Sequence, residues 1–157
     1  MKIILLTVGK TTSSNLIKLQ EDYQNRLKFY IPFELVVIPE LKNTKNLSVS
    51  EQVEKEADLI LKQLESNDEI ILLDEKGKQF TSVGFSEFIS KKMLSSIKRT
   101  VFVVGGPYGF SERVYNRANS MVSLSAMTFS HQMIRLIFVE QLYRAMTILK
   151  GEPYHHE

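Results

Sequence analysis

The sequence predicts an α/β fold, a largely parallel sheet with helices on both faces, built as one domain over residues 1–157. Three observations carry this. Strand-like and helix-like stretches alternate along the whole chain, which is the pattern of βαβ units with parallel strands. The first strand candidate, 3–8, is a continuous run of Ile3, Ile4, Leu5, Leu6, Thr7 and Val8, as expected of a strand covered on both faces. No repeat, low-complexity tract or flexible linker divides the chain, and 157 residues suit a single core.

The elements follow in order. After the first strand, Leu16, Leu19, Tyr23, Leu27 and Tyr30 recur at helical spacing and predict a helix with those residues inward. A second strand over 33–38 is bounded by Pro32 and Pro39, and 40–48 reads as a polar loop. Ser50 is expected to head a helix to about residue 65, with Val53, Ala57, Ile60, Leu61 and Leu64 on its inner face. A third strand covers 69–73, and Phe85, Phe88, Ile89 and Met93 mark the next helix. A fourth strand over 100–104, a short helix over 111–118 and a fifth strand over 121–124 complete the sheet.

The last helix, 130–150, is apolar around most of its circumference. Ile134, Ile137, Phe138, Leu142, Met146 and Leu149 form one stripe, while Met133, Leu136, Val139, Tyr143, Ala145 and Ile148 fill much of the rest. Such a helix must be covered on several sides, within the chain or by a second copy. Arg135, Glu140 and Arg144 lie within it and require partners.

Composition narrows the function classes. With 43% hydrophobic and 24% charged residues, a folded soluble domain is expected. No apolar run is long enough to span a bilayer and the N-terminus lacks a signal h-region, so a cytoplasmic protein is expected. The absence of cysteine excludes a disulfide framework, a thiolate zinc site and a cysteine nucleophile. The net charge of +2 is unevenly placed: residues 1–78 hold eleven Lys and Arg against thirteen Asp and Glu, and 79–157 hold nine against five. The basic half can attract a polyanion, with an affinity that falls as salt rises.

Ligands of open α/β sheets sit at the carboxyl ends of the strands, and three successive strand ends carry unusual loops. The third strand runs into Asp74-Glu75-Lys76-Gly77-Lys78, read as a polar turn whose glycine can take positive φ. The fourth runs into Gly105-Gly106-Pro107-Tyr108-Gly109-Phe110-Ser111, where paired glycines allow close approach of a ligand and Ser111 can cap the next helix. The fifth runs into the loop ending at His131. Together they outline a pocket built mostly from main-chain groups and suited to an adenosine-like ligand.

Common motifs are missing. Neither a Gly-x-Gly-x-x-Gly turn after the first strand nor a Gly-Lys-Ser/Thr phosphate loop occurs. Ser130, His131 and Asp74 can be drawn as a hydrolase triad, but no Gly-x-Ser-x-Gly elbow accompanies them. His155 and His156 are adjacent on a terminal tail, without the spacing of a metal site, and no metal is expected.

The ordered set Leu73-Asp74 with Gly77-Lys78, Val103-Val104-Gly105-Gly106-Pro107-Tyr108-Gly109, Leu124-Ser125-Ala126-Met127-Thr128-Phe129 with His131 and Arg135, Glu140-Gln141-Leu142-Tyr143-Arg144-Ala145, and Pro153-Tyr154-His155-His156 resembles the ribosomal RNA large subunit methyltransferase H family. The resemblance spans the full length. It implies a fold of the SPOUT class, with a C-terminal trefoil knot that general fold rules disfavour. It further implies a cytoplasmic homodimer that uses S-adenosylmethionine to methylate N3 of a pseudouridine in 23S rRNA of the assembled ribosome, with no part for DNA or a membrane.

By the same resemblance, Leu73, Gly105, Leu124, Ser125, Ala126, Met127, Thr128 and Phe129 would bind the cofactor, and the family motif gives no weight to Glu75 or His156. Arg144, Tyr154 and His155 would face the RNA across the dimer interface. Chemically, Arg144 suits a developing imide anion, His155 a proton acceptor, and Tyr154 stacking on or hydrogen bonding to the base. Two alternatives stand beside this: a catalytically silent RNA-binding dimer of the same fold, and a transfer RNA methyltransferase.

Overall fold

A computed structural model describes residues 1–156. It is organised around five parallel strands in the order β2-β1-β4-β3-β5. These are β1 (Lys2–Val8), β2 (Phe33–Ile38), β3 (Glu69–Gln79), β4 (Arg99–Val104) and β5 (Ser120–Ser123). The helices between and after them are α1 (Ser14–Leu27), α2 (Val49–Lys62), α3 (Ser82–Met93), α4 (Glu112–Arg117) and α5 (His131–Lys150). A single 3-10 turn at Thr44–Asn46 interrupts the loop before α2.

Alternation along β1 separates two cores. Ile3 and Leu5 point to one face, where Phe102, Ile71 and Val122 of the sheet meet Leu27 of α1, Phe85 and Ile89 of α3, and Phe138, Val139 and Leu142 of α5. Ile4, Leu6 and Val8 point to the other, against Ala57 and Ile60 of α2 and Val114 of α4. The helices therefore lie on both faces, as the continuous apolar strands predict. The apolar breadth of α5 is largely used within the chain, since the helix is wedged between α1 and α3 over the sheet. Met133 and Leu149 remain 38% exposed on it. No helix among the described residues is long and apolar enough to cross a membrane.

Several local expectations are corrected. The cap of α2 is Ser48, not Ser50: its side chain accepts from the Glu51 amide while Glu51 reaches back to the Ser48 amide, a capping box. Leu19, expected inward, is 50% exposed, and Gln20 is buried in its place. Met93 is also exposed. Ser111 precedes α4 without a capping hydrogen bond from its side chain.

The largest correction concerns β3. Residues 74–77 bulge out, after which Lys78 and Gln79 rejoin β5, so that both Leu73 and Lys78 pair with Val122. Gly77 does not take positive φ. Its glycine is required by close approach: a Cβ there would lie 2.5 Å from the Val122 carbonyl carbon and 2.6 Å from its nitrogen.

Candidate functional site

Because β4, β3 and β5 are neighbours in the sheet, the loops leaving their carboxyl ends converge. Between them lies a cavity of about 580 Å³, within the range of small-molecule sites. Leu73, Gly105, Leu124, Ser125, Met127, Thr128 and Phe129, all predicted from the sequence, line it. Ala126 does not. The Met127 amide donates to Ser125 Oγ at 2.9 Å, closing a serine turn that leaves exposed Ala126 between them.

The strand-end loops read from the sequence supply Asp74, Lys76 and His131 to the wall, whereas Val104, Tyr115 and Ile134 were not foreseen there. Tyr115 donates to Asp74 Oδ2 at 2.6 Å, and the Lys76 amide donates to Asp74 Oδ1 at 2.8 Å, so Asp74 organises the bulge of β3. Burial and then Asp74 push the Tyr115 phenol up, so it remains a donor. Beneath the glycine loop, the space a Cβ would fill at Gly106 is occupied by the Glu56 carboxylate, whose Oε2 lies 2.3 Å from that point. The room at Gly106 thus serves a protein side chain, whereas the sequence suggested a ligand.

The start of α5 closes one side. Ser130 is its N-cap, accepting from the Met133 amide at 3.3 Å, a structural role at the start of the helix. Gln132 Oε1 accepts from the amides of Thr12 at 2.9 Å and Ser13 at 3.0 Å. Arg135, only 2% exposed, donates to the Val8 carbonyl at 2.7 Å and to Thr11 Oγ1 at 3.1 Å. Burial holds its pKa below the usual value. Its partners are main-chain and hydroxyl oxygens, and they tie the loop after β1 to α5.

Arg144, Tyr154 and His155 form a second group, and none of them lines the cavity. Ile134 does, and Arg144 follows ten residues later on α5, about 15 Å of helical rise away. Arg144 Nη2 donates to Glu140 Oε1 at 2.6 Å, and Glu140 raises its pKa. The Arg144 guanidinium sits 4.7 Å from the Tyr154 ring centroid. Burial, followed by contacts with Tyr23 and Glu140, pushes the Tyr154 phenol up, so it is a neutral donor near neutral pH.

Arg144 Nη1 lies 3.4 Å from His155 Nδ1. A guanidinium has no acceptor, so in this contact Nδ1 presents its lone pair. Among the described residues no group of three His, Cys, Asp or Glu could hold a metal ion.

The family described as "Predicted SPOUT methyltransferase" matches residues 1–155. A "Ribosomal RNA large subunit methyltransferase H" of Parabacteroides distasonis is 62% identical over 157 residues, all of both chains. Proteins of the same name from Flavobacterium johnsoniae and Bacteroides thetaiotaomicron are 60% and 59% identical, again over the whole of both chains. With a family match over nearly its entire length and relatives near 60% identity end to end, the chain belongs to the SPOUT methyltransferase family, in the branch of the ribosomal RNA large subunit methyltransferases H.

Proposed function

We propose that this protein methylates large-subunit ribosomal RNA, at N3 of a pseudouridine in 23S rRNA of the assembled ribosome, with S-adenosylmethionine as donor. The observation that carries the reading is the cavity formed by three strand-end loops, lined by Leu73, Gly105 and the 124–129 loop. Its volume suits a nucleoside-sized ligand. The apolar Val104, Leu124 and Ile134 flank main-chain groups able to read an adenine by hydrogen bonds. When bound, S-adenosylmethionine supplies an electrophilic methyl group.

The protein's part is alignment and charge. A shaped cavity holds the reactants in line, which accounts for much of the rate gain open to such an enzyme. An imide nitrogen must lose its proton to attack. Arg144 supplies the cation that stabilises the resulting anion, and Tyr154 supplies a ring for stacking and a hydroxyl for orientation. The N3 proton passes to His155 Nδ1 as Arg144 turns from that nitrogen to the imide, so proton removal and charge stabilisation occur in one step. His155→Ala is expected to abolish turnover; near-normal turnover with weakened ribosome binding would remove the base assignment.

Because Tyr154 and the Arg144 guanidinium are held at Glu140 and none of the tail group lines the cavity, one copy does not bring the two groups together. A homodimer that offers the tail of one copy to the cavity of the other completes the site. Mixing Gly105→Trp protein, with a blocked cavity, and Arg144→Ala protein is then expected to restore transfer that neither has alone; mixtures as inactive as their parts would refute the shared site. Family membership further supports one SPOUT domain over 1–157, a trefoil knot in its C-terminal part and a cytoplasmic location beside the ribosomes.

The deciding experiment is transfer of labelled methyl from S-adenosylmethionine to ribosomes lacking the modification, with free rRNA and transfer RNA in parallel. Label confined to a large-subunit pseudouridine is the expected result. Label in transfer RNA would replace the substrate, and none anywhere from a folded protein that binds RNA would favour a silent binding role.

A further inference from the structure

Side chains from distant parts of the chain meet where the tail folds back on α5. The Tyr154 hydroxyl lies 3.0 Å from Glu140 Oε1 and 3.1 Å from the hydroxyl of Tyr23 on α1. The same Glu140 oxygen receives Arg144 Nη2 at 2.6 Å, and Glu140 Oε2 accepts from Gln141 at 2.8 Å. A carboxylate only accepts and a phenol has one hydrogen, so Tyr154 donates to Glu140 and Tyr23 donates to Tyr154. The direction of the chain is thereby fixed, from Tyr23 through Tyr154 to Glu140, with Arg144 arriving from the other side.

The rings are held as well. Tyr143 lies edge-on to Tyr154 at 4.8 Å between centroids and tilted against Tyr23 at 5.8 Å. These groups are only partly open to solvent, where hydrogen bonds in series strengthen one another. Neither Tyr23 nor Glu140 lines the cavity, so their influence on a reaction there has to pass through the tail.

We infer that Tyr23 and Glu140 are positioning residues, which set where the Tyr154 hydroxyl and the Arg144 guanidinium stand when the tail meets the RNA. The inference rests on the reading that puts Arg144 and Tyr154 at the substrate. Glu140 couples the two, since one of its oxygens holds both; Tyr23 acts on the hydroxyl alone.

Single-turnover methyl transfer to saturating unmodified ribosomes tests this with Tyr23→Phe, Tyr154→Phe and the double variant. Tyr23→Phe keeps the ring against Tyr143 and removes only the donor. It is expected to slow transfer roughly tenfold, the scale of a small misplacement at a reacting centre, with unchanged S-adenosylmethionine affinity. In the Tyr154→Phe background the same change has nothing left to hold, and a factor under about 2 is expected. Equal losses in both backgrounds, or none in either, would overturn the role of Tyr23.

Glu140→Gln removes the charge that pairs with Arg144 and is expected to lose more than Tyr23→Phe; wild-type transfer would overturn its role. If that variant folds poorly, Tyr23→Phe, which loses one half-buried hydroxyl, carries the test. A wild-type protein that transfers no methyl group overturns the underlying reading and this role with it. An active wild type beside an indifferent Tyr23→Phe overturns this inference alone.

Discussion

Replacing Glu56 by Gln is expected to stabilise the protein at neutral pH and to do nothing at pH 4. Glu56 lies on α2 at 5% exposure, with its carboxylate against the Gly106 Cα position. The hydrogen bond it receives from Gln52 is long, at 3.4 Å. Burial pushes its carboxyl above the usual value; Gln52 and the nearby His131 offset this in part, and Glu40 adds to it. A value raised in the folded state means that the fold holds the proton more tightly than the unfolded chain does. Stability is therefore full below the unfolded value, about 4.3, and falls as pH climbs through the folded one.

A neutral amide of the same shape removes that loss. At pH 8 a gain on the order of 1 kcal/mol is expected, the usual scale for an incompletely paired buried polar group. For a chain of this size that is a rise of about 2–4 °C in Tm. Thermal melts of both proteins from pH 4 to 8 supply the test. Glu56→Gln melting below wild type at pH 8, or a difference that ignores pH, would show the carboxylate to be a satisfied anion and refute the reasoning.

Other substitutions probe the site's supports. Gly77→Ala sets a Cβ against the Val122 backbone at 2.5 Å, which cannot yield as a side chain does, so a loss of about 1–3 kcal/mol is expected in denaturant melts. Tyr115→Phe frees Asp74 from its 2.6 Å hydrogen bond and loosens the bulge, with an expected fall of roughly 3- to 10-fold in S-adenosylmethionine affinity by calorimetric titration. Arg135→Met keeps the apolar stem and deprives the Val8 carbonyl of its 2.7 Å donor; about 1–3 kcal/mol should be lost, with faster hydrogen exchange over residues 9–13. Unchanged stability would mean that burying this cation costs as much as its hydrogen bonds return.

What the sequence made legible was whatever local chemistry decides. The strands at 3–8, 33–38 and 100–104 are marked by apolar runs, and the start of α2 was within reach, because Ser48 stands three residues before Glu51 whereas Ser50 stands before Val53. Where distant partners decide, the reading failed. The polar run at 74–78 has every local mark of a turn, yet pairing with β5 draws Lys78 and Gln79 back into the sheet; tertiary context overrides propensity there. Leu19 faces out and Gln20 in because the orientation of α1 is set by its packing on α5. The three strand-end loops were marked as a pocket by their glycines and order. Nothing in periodicity links Tyr23 to Tyr154, 131 residues apart, although Glu140 and Arg144 carried a signal in their i,i+4 spacing.

The helix α5 connects the cavity to the tail group. At its first turns Gln132 and Arg135 tie down the loop after β1, and Ile134 faces the cavity. Near its end Glu140 and Arg144 hold the tail. Between them Phe138, Val139 and Leu142 are wholly buried against the sheet and the flanking helices. A segment packed at that density moves as a body, if it moves at all. The cavity wall and the tail anchor are therefore fixed relative to each other within one copy. The partly exposed Met133 and Leu149 lie on this same helix. If a second copy packs along it, a single interface sets the register of both tails on both cavities, and an adjustment there is felt at both sites.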